Sequence, residues 1–214
     1  TEKTMLISDP EVCLSYQQLR ERVIELLADT SDEIANKKVP ACPRWTVHNL
    51  VCHIIGVPED ILEGRMKGVT TDPWTQAQVD RHKSDSIAQL REILINQKSK
   101  FDVVLPNIPS PVNSQFVMDA VTHEHDLREA LGKPGAQDSL AVKVAFAWLA
   151  SNSMYPKELV DKLRASKATE FQLMRAMTGR TSVEQMNELN LPGDEIASLT
   201  VGSPFKAPPS NGAN

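Results

Sequence analysis

Apolar residues recur at helical spacing along most of the chain, and this periodicity restricts the fold more than any other feature of the sequence. After Pro10, apolar side chains return every three or four residues at Val12, Tyr16, Leu19, Val23, Leu26 and Leu27. The same spacing predicts further helices from residue 47, after Asp72, and over residues 86–98, 113–131, 139–150, 156–163, 170–177 and 182–189. The clearest strand-like segment is 101–105. The sequence therefore predicts a mainly all-α protein, a four-helix bundle over residues 1–150 with a C-terminal helical extension and tail over residues 151–214.

Several residues mark where these helices begin and end. Thr46 is placed to cap the second helix, and Gly132 is placed to stop the helix that begins near residue 113. Gly56 and Pro58 predict a kink or interruption in the second helix, because proline removes a backbone hydrogen bond. A tail rich in proline and glycine is predicted over residues 192–214.

Charge and composition exclude several classes of partner. The net charge of −5 is spread over mixed acidic and basic residues, which argues against nucleic acid as the main partner. The absence of an apolar run of about 18 residues argues against a membrane partner, and residues 1–10 lack the features of a signal peptide. The three cysteines form no Cys-x-x-Cys pattern, so they are expected to be reduced packing residues. We therefore expect a cytoplasmic protein.

One stretch combines a carboxylate and an imidazole at a spacing that suits a metal ion. Asp119 and His123 are four residues apart on a predicted helix, so they lie one turn apart on one face, and Asp126 follows on the same side. The second helix offers a third ligand in His53, whereas His48, five residues earlier, diverges from it. Two histidines and a carboxylate leave open positions on zinc, nickel or iron, as in a catalytic site. The alternative is that these residues make only hydrogen bonds.

Four segments carry a resemblance to a known family. Residues 42–57, 72–79, 119–132 and 171–185 resemble motifs of the DinB-like, mycothiol-dependent maleylpyruvate isomerase superfamily. The resemblance implies a four-helix bundle in which His53, Asp119 and His123 hold one divalent metal. The family usually has Glu at the position of Asp119 and commonly Asp at the position of Asn49, so this chain departs from the pattern twice.

The resemblance also implies a chemistry. A low-molecular-weight thiol such as mycothiol would bind the metal, and its thiolate would add to a small electrophile, giving either isomerisation of a cis-alkene diacid or S-transfer. Arg175 and Arg180 are candidates to bind a carboxylate of the substrate or thiol, or else surface residues that satisfy helix ends. Asp126 is a candidate to orient His123, or else an ordinary surface charge.

Other prominent residues have structural interpretations. Trp45 and Trp74 are expected to pack loops against the bundle, although an aromatic ring near the mouth of a site can also line a ligand pocket. Cys52 is expected in the core, and His82 and His125 are expected to be exposed. Two other functional classes stay open: a DinB-like protein that binds metal or ligand without turnover, and a structural helical dimer. A homodimer is compatible with each of these.

Overall fold

Helices dominate the computed structural model, which describes residues 6–201, 203 and 205. Its α-helices are α1 (Asp9–Ala28), α2 (Val47–Glu63), α3 (Asp72–His82), α4 (Ile87–Val104), α5 (Val112–Leu131), α6 (Leu140–Ser151), α7 (Lys157–Ala165), α8 (Glu170–Met177), α9 (Val183–Glu188) and α10 (Gly193–Thr200). The only sheet among the described residues pairs two short antiparallel strands, β1 (Lys38–Val39) and β2 (Cys42–Thr46), in the register Lys38 to Thr46 and Val39 to Cys42. The predicted all-α, DinB-like fold is therefore confirmed.

The hairpin of β1 and β2 leads directly into α2, and a capping box fixes the start of this helix. The Thr46 hydroxyl accepts a hydrogen bond from the Asn49 backbone N–H at 3.2 Å, and Asn49 Oδ1 accepts one from the Thr46 backbone N–H at 3.0 Å. This reciprocal pair satisfies two backbone donors that the first turn leaves without helical partners. The predicted cap at Thr46 is confirmed, and an asparagine at position 49 supplies the acceptor oxygen that the box needs.

Helix α2 continues through Gly56 and Pro58 without the predicted interruption. Proline lacks the N–H that would bond to the preceding turn. In that turn, Gln97 of α4 donates its side-chain N–H to the Ile55 carbonyl at 2.9 Å, so a neighbouring helix supplies a hydrogen bond where the proline weakens the ladder. The helix ends at Gly64, whose φ of 71° lies in the left-handed region that glycine adopts without steric cost.

One compact unit comprises residues 16–109 and 123–135. The rings of Tyr16 in α1 and Phe101 in α4 pack edge to face with centroids 5.2 Å apart. Beside them, Arg20 makes a bidentate ion pair with Asp102, with N···O distances of 2.7 and 2.8 Å. These contacts hold the C-terminal part of α1 against α4. The guanidinium of Arg22 reaches the buried Glu124 of α5 at 2.8 Å, which ties α1 to α5 as well.

The end of α4 corrects the strand-like prediction for residues 101–105. These residues are helical, α4 running to Val104 and a short 3-10 turn following over Leu105–Asn107. Phe101 and Leu105 are fully buried, whereas Val103 between them is 70% exposed. The apolar run is thus one face of a helix at spacing i, i+4, with an exposed valine on the opposite side.

A second compact unit comprises residues 6–15, 110–122 and 136–201. Helix α6 is almost wholly buried and packs against α8, and the Tyr155 hydroxyl donates a hydrogen bond to the Met177 carbonyl at the end of α8. The predicted helices over residues 156–163, 170–177 and 182–189 are present as α7, α8 and α9. The domain boundary at residue 150 stays a prediction.

The predicted tail over residues 192–214 is helical in its first part, as α10. Residues 202, 204 and 206–214 of that segment lie outside the described residues. In the part of the chain that the structure describes, none of the helices has the length and apolarity needed to cross a membrane.

Candidate metal centre

Three potential ligands meet where α2 faces α5. His53 of α2 and Asp119 and His123 of α5 each offer one ligand atom, and these atoms lie within 4.8 Å of one another. Asp119 lies one turn before His123 in the same continuous helix, so helix geometry alone places them on one face. The His53 and His123 rings lie nearly perpendicular, at 85°, with centroids 4.7 Å apart. Both histidines are buried and Asp119 is half-buried.

A chain of hydrogen bonds sets the orientation of His53. Its Nδ1 lies 2.7 Å from Oε1 of Gln78 in α3, and Nε2 of the same amide donates to Oδ2 of the buried Asp60 at 2.9 Å. Since the Gln78 oxygen can only accept, Nδ1 of His53 must carry the proton. The lone pair then resides on Nε2, which makes Nε2 the ligand atom.

His123 has the same arrangement with a carboxylate. Its Nδ1 lies 3.1 Å from Oδ2 of Asp126, whose side chain is fully buried. The carboxylate accepts, so Nδ1 donates, and in the neutral imidazole Nε2 carries the lone pair. A carboxylate behind a histidine fixes the ring and raises its basicity toward a metal. The contact between Asp126 and His123 is therefore the one that the orienting role requires, and that role itself stays a prediction.

The donor set fits a divalent transition metal. Two imidazole nitrogens and one carboxylate oxygen are ligands that zinc, nickel and iron(II) accept in proteins. Each histidine is already held in the tautomer that a metal requires by a partner on its other nitrogen. His53, Asp119 and His123 would hold the ion, and a set of three protein ligands would leave further coordination positions for small molecules.

Trp45 of strand β2 lies beside both histidines. Its ring centroid is 5.4 Å from that of His53 and 6.1 Å from that of His123, each pair being tilted by 43°. An indole at this distance excludes water from one side of the imidazole pair and presents an apolar wall. The sequence expectation that Trp45 packs a loop is thus extended, since the ring packs against two candidate ligands.

The two predicted substrate-binding arginines lie in and after α8. Arg175 is buried, and its Nη1 lies 3.4 Å from the carbonyl oxygen of Thr122, the residue before His123 in α5. Arg180 is half-buried and donates from Nη1 to the Thr178 carbonyl at 2.8 Å. The Arg180 contact lies at the C-cap of α8, as the helix-end alternative expects, and the role of both arginines in binding a carboxylate stays a prediction.

His48 and Cys52 form a separate contact on α2. Nε2 of His48 donates to the Asp85 carbonyl at 2.6 Å, so the nitrogen facing Cys52 Sγ at 3.6 Å is Nδ1. Burial raises the pKa of the Cys52 thiol to about 12, with the negative charge of Asp85 adding to the effect. A thiol of this kind stays protonated at neutral pH and is a poor nucleophile. The prediction that Cys52 belongs to the core is confirmed.

The predictions for His82 and His125 are wrong, because both side chains are buried at 6% and 4% exposure. His82 lies between two carboxylates, with Nε2 2.5 Å from Glu59 and Nδ1 2.8 Å from Asp85. The hydrogen bond that His82 donates to Glu59 raises the pKa of His82 against the opposing effect of burial. In turn, although burial acts in the opposite direction, the hydrogen bond from His82 helps hold the pKa of Glu59 below its ordinary value.

Gln78 and Asp60 are the residues near the site that the sequence predictions missed. A glycine inside an apolar helix signals that another chain segment approaches closely, and Gly56 is such a residue. It was interpreted as a helix breaker, whereas in the structure it faces the side chain of Gln78. The partner itself lies 22 residues away, at a distance that helical periodicity does not address.

The fold defines a class, the DinB-like helical proteins, and the cluster of two histidines and a carboxylate is a candidate metal centre within it. Residues 16–122, half of the chain, match the model of the mycothiol maleylpyruvate isomerase N-terminal domain. The chain belongs to this family. The matched segment contains His53 and Asp119 and ends one residue before His123. No curated protein and no solved structure gave a match.

Proposed function

We propose that the protein is a metal-dependent enzyme that uses a mycothiol-type thiol, acting as an S-transferase or as a maleylpyruvate isomerase-like enzyme on a small electrophile. One observation carries this proposal: the ligand atoms of His53, Asp119 and His123 lie within 4.8 Å of one another in a chain of this family. A bound divalent metal, with zinc the first choice and nickel or iron as alternatives, would favour the thiolate form of a coordinated thiol by lowering its pKa.

The residues of the chain have distinct tasks in this proposal. His53 and His123 present Nε2 because their Nδ1 atoms donate to Gln78 and Asp126. Asp119 adds one negative charge, which leaves a dication with net positive charge and thus attractive to a thiolate. The Trp45 ring restricts access of water beside the two imidazoles.

The proposed reaction balances without an external oxidant or reductant. The thiolate sulfur forms a bond to one alkene carbon of a conjugated cis-alkene diacid, and the π electron pair moves onto the conjugated carbonyl oxygen. Rotation about the resulting single bond and loss of the thiolate restore the double bond in the trans geometry. With an electrophile whose adduct does not eliminate, the enolate takes up a proton from water, and the same first step ends as S-transfer.

We propose that Arg175 and Arg180 bind a carboxylate of the substrate or the thiol. A guanidinium offers five donors in a planar fork that matches a carboxylate, and each arginine places one terminal nitrogen on a backbone carbonyl. Arg175 is supported most directly, since it contacts the backbone of α5 at the residue before His123. We also propose a cytoplasmic location, where low-molecular-weight thiols are kept reduced.

The test compares untagged protein with a His53→Ala, His123→Ala double variant by elemental analysis. We expect close to one equivalent of zinc, nickel or iron in the native protein and none in the variant, with circular dichroism showing that both are folded. Native protein that stays metal-free after incubation with zinc and gel filtration would overturn the proposal. Metal-loaded protein is then assayed for thiol-dependent turnover of maleylpyruvate and other electrophiles. Metal binding without turnover of any of them would instead favour a non-catalytic DinB-like binding protein.

A further inference from the structure

The side chain of Gln78 is fully buried where α3 crosses α2. The space that it occupies is available because the residue opposite, Gly56 of α2, has no side chain. A Cβ atom added at Gly56 would lie 2.6 Å from both Cβ and Cγ of Gln78. Carbon atoms do not approach so closely without displacement, and these two atoms are near the Gln78 backbone, where the side chain has little freedom to move. The glycine therefore permits the stem of Gln78 to lie directly on the backbone of α2.

Asp60 determines which end of the Gln78 amide faces His53. Its Oδ2 accepts from Nε2 of Gln78 at 2.9 Å, while its Oδ1 lies 2.9 Å from Nε of Arg65 and 3.0 Å from Nη2 of Arg81. A carboxylate paired with two guanidinium groups has no proton to donate, so the amide nitrogen must point at Asp60. The amide oxygen is then committed to His53.

We propose that Gln78 is a positioning residue that holds His53 as the Nδ1–H tautomer and directs its Nε2 toward Asp119 and His123. If the proton sat on Nε2, Oε1 of Gln78 would face an unprotonated Nδ1 at 2.7 Å, placing two acceptors in contact. The metal-binding part of this inference rests on the proposed function. The tautomer is a property of the metal-free chain and is measurable without any metal.

Two variants and one matched control test the inference. Gln78→Met keeps the length of the side chain and removes the acceptor. Gly56→Ala keeps the amide and displaces it from α2, so it carries the test if the first variant does not fold. Gln76→Met is the control, because it makes the same substitution on the same helix at an exposed glutamine that donates to Asp80.

The readout is the protonation of each His53 ring nitrogen in metal-free protein, from long-range ¹H–¹⁵N NMR assigned with a His53→Gln variant. Zinc affinity, measured by competition with a chelator, is the second readout. We expect Nδ1–H in the native protein and in the control, a shift of population toward Nε2–H in Gln78→Met and Gly56→Ala, and zinc binding weakened by about 10–100-fold in both.

The outcomes separate this inference from the proposed function. Unchanged His53 protonation in folded Gln78→Met, unchanged zinc affinity in that variant, or Nε2–H in the native protein would overturn the positioning role. Native protein that shows Nδ1–H, loses it in Gln78→Met and still binds no zinc would uphold the control of the tautomer by Gln78. The same result would overturn the proposed metal-dependent function.

Discussion

Two groups of histidines in one compact unit, His53 with His123 and His82 by itself, have different hydrogen-bond environments. At the candidate metal centre, Nδ1 of His53 donates to the neutral amide of Gln78, and Nδ1 of His123 donates to the carboxylate of Asp126. In the second cluster, both nitrogens of His82 face carboxylates, those of Glu59 and Asp85. An imidazole held on Nδ1 can present Nε2 to a metal, whereas carboxylates at both nitrogens favour the protonated ring, and the pKa of His82 is raised accordingly.

The difference lies in the side chains that other helices bring to each ring, which spacing in the sequence does not disclose. His82 and Asp85 are three residues apart, as are His123 and Asp126, and both pairs are in contact. Glu59, 23 residues before His82, adds a second carboxylate there, whereas His123 has His53 and Asp119 as neighbours. An acid near a histidine in the sequence is therefore compatible with either a metal ligand or a buried ion pair.

The largest expected difference between the clusters appears when one carboxylate in each is replaced by an amide and zinc affinity is measured. Loss of a hydrogen-bond partner behind a metal ligand weakens metal binding by about 10–100-fold. Asp119→Asn should weaken zinc binding by more than that, because it replaces a carboxylate ligand with an amide, which is a much poorer ligand. Asp85→Asn, the matched change beside His82, should leave zinc affinity unchanged. Titration against a chelator measures both, and equal losses in the two variants would abolish the distinction between the clusters.

The second cluster should respond to pH in a direction that its pKa shifts define. Because the pKa of His82 is raised in the folded state, its contribution to stability is complete below about pH 6.5, the ordinary histidine value, and is lost as pH rises through the raised value. Glu59 has a lowered pKa, so its contribution is present above about pH 4.3 and is lost as pH falls through the lowered value.

Replacing His82 with Gln should therefore cost most at mildly acidic pH. We expect a loss of about 1–3 kcal/mol in the free energy of unfolding near pH 6, consistent with buried hydrogen bonds to charged groups, and a smaller loss at pH 9. Urea denaturation of metal-free protein at the two pH values measures the difference. A loss that is equal at both would show that His82 is not charged in the folded protein.

A smaller effect is expected at Asp126. Asp126→Asn keeps an acceptor for Nδ1 of His123 and removes the charge that raises the basicity of the ring, so zinc affinity should fall by about tenfold or less. Elemental analysis should still find metal in this variant, and chelator competition should reveal the weaker binding. A zinc affinity equal to that of the native protein would show that the charge of Asp126 does not support metal binding by His123.

Local signals in the sequence were sufficient for most helices and for the ligand cluster. Thr46, Gly132 and the apolar stripes are read within one or two turns, so caps and helix faces follow from neighbouring residues. Asp119 and His123 were placed by the helix period, His53 was chosen from its place on the second helix, and the family resemblance supported the set of three. The run at residues 101–105 failed because β-branched valines favour strands locally, while the burial of Phe101 and Leu105 favours a helix.

The burial of His82 and the role of Gln78 were out of reach for a different reason. Their partners Glu59, Asp60 and Gly56 lie on another helix, and no period within a single helix relates residues 18 to 23 positions apart. Asn49 illustrates the converse case, since its departure from the family pattern concerns a helix cap that either an amide or a carboxylate oxygen can complete.

The close approach of Gly56 and Gln78 also constrains the order in which this family member can accumulate mutations. Alanine at position 56 is normally favoured within a helix, yet here it collides with the side chain opposite. In the native background the substitution displaces Gln78, and a smaller side chain at position 78, which would relieve the collision, no longer reaches His53 as Gln78 does. The two positions are therefore epistatic, and a lineage that retains the site cannot take the stabilising step first.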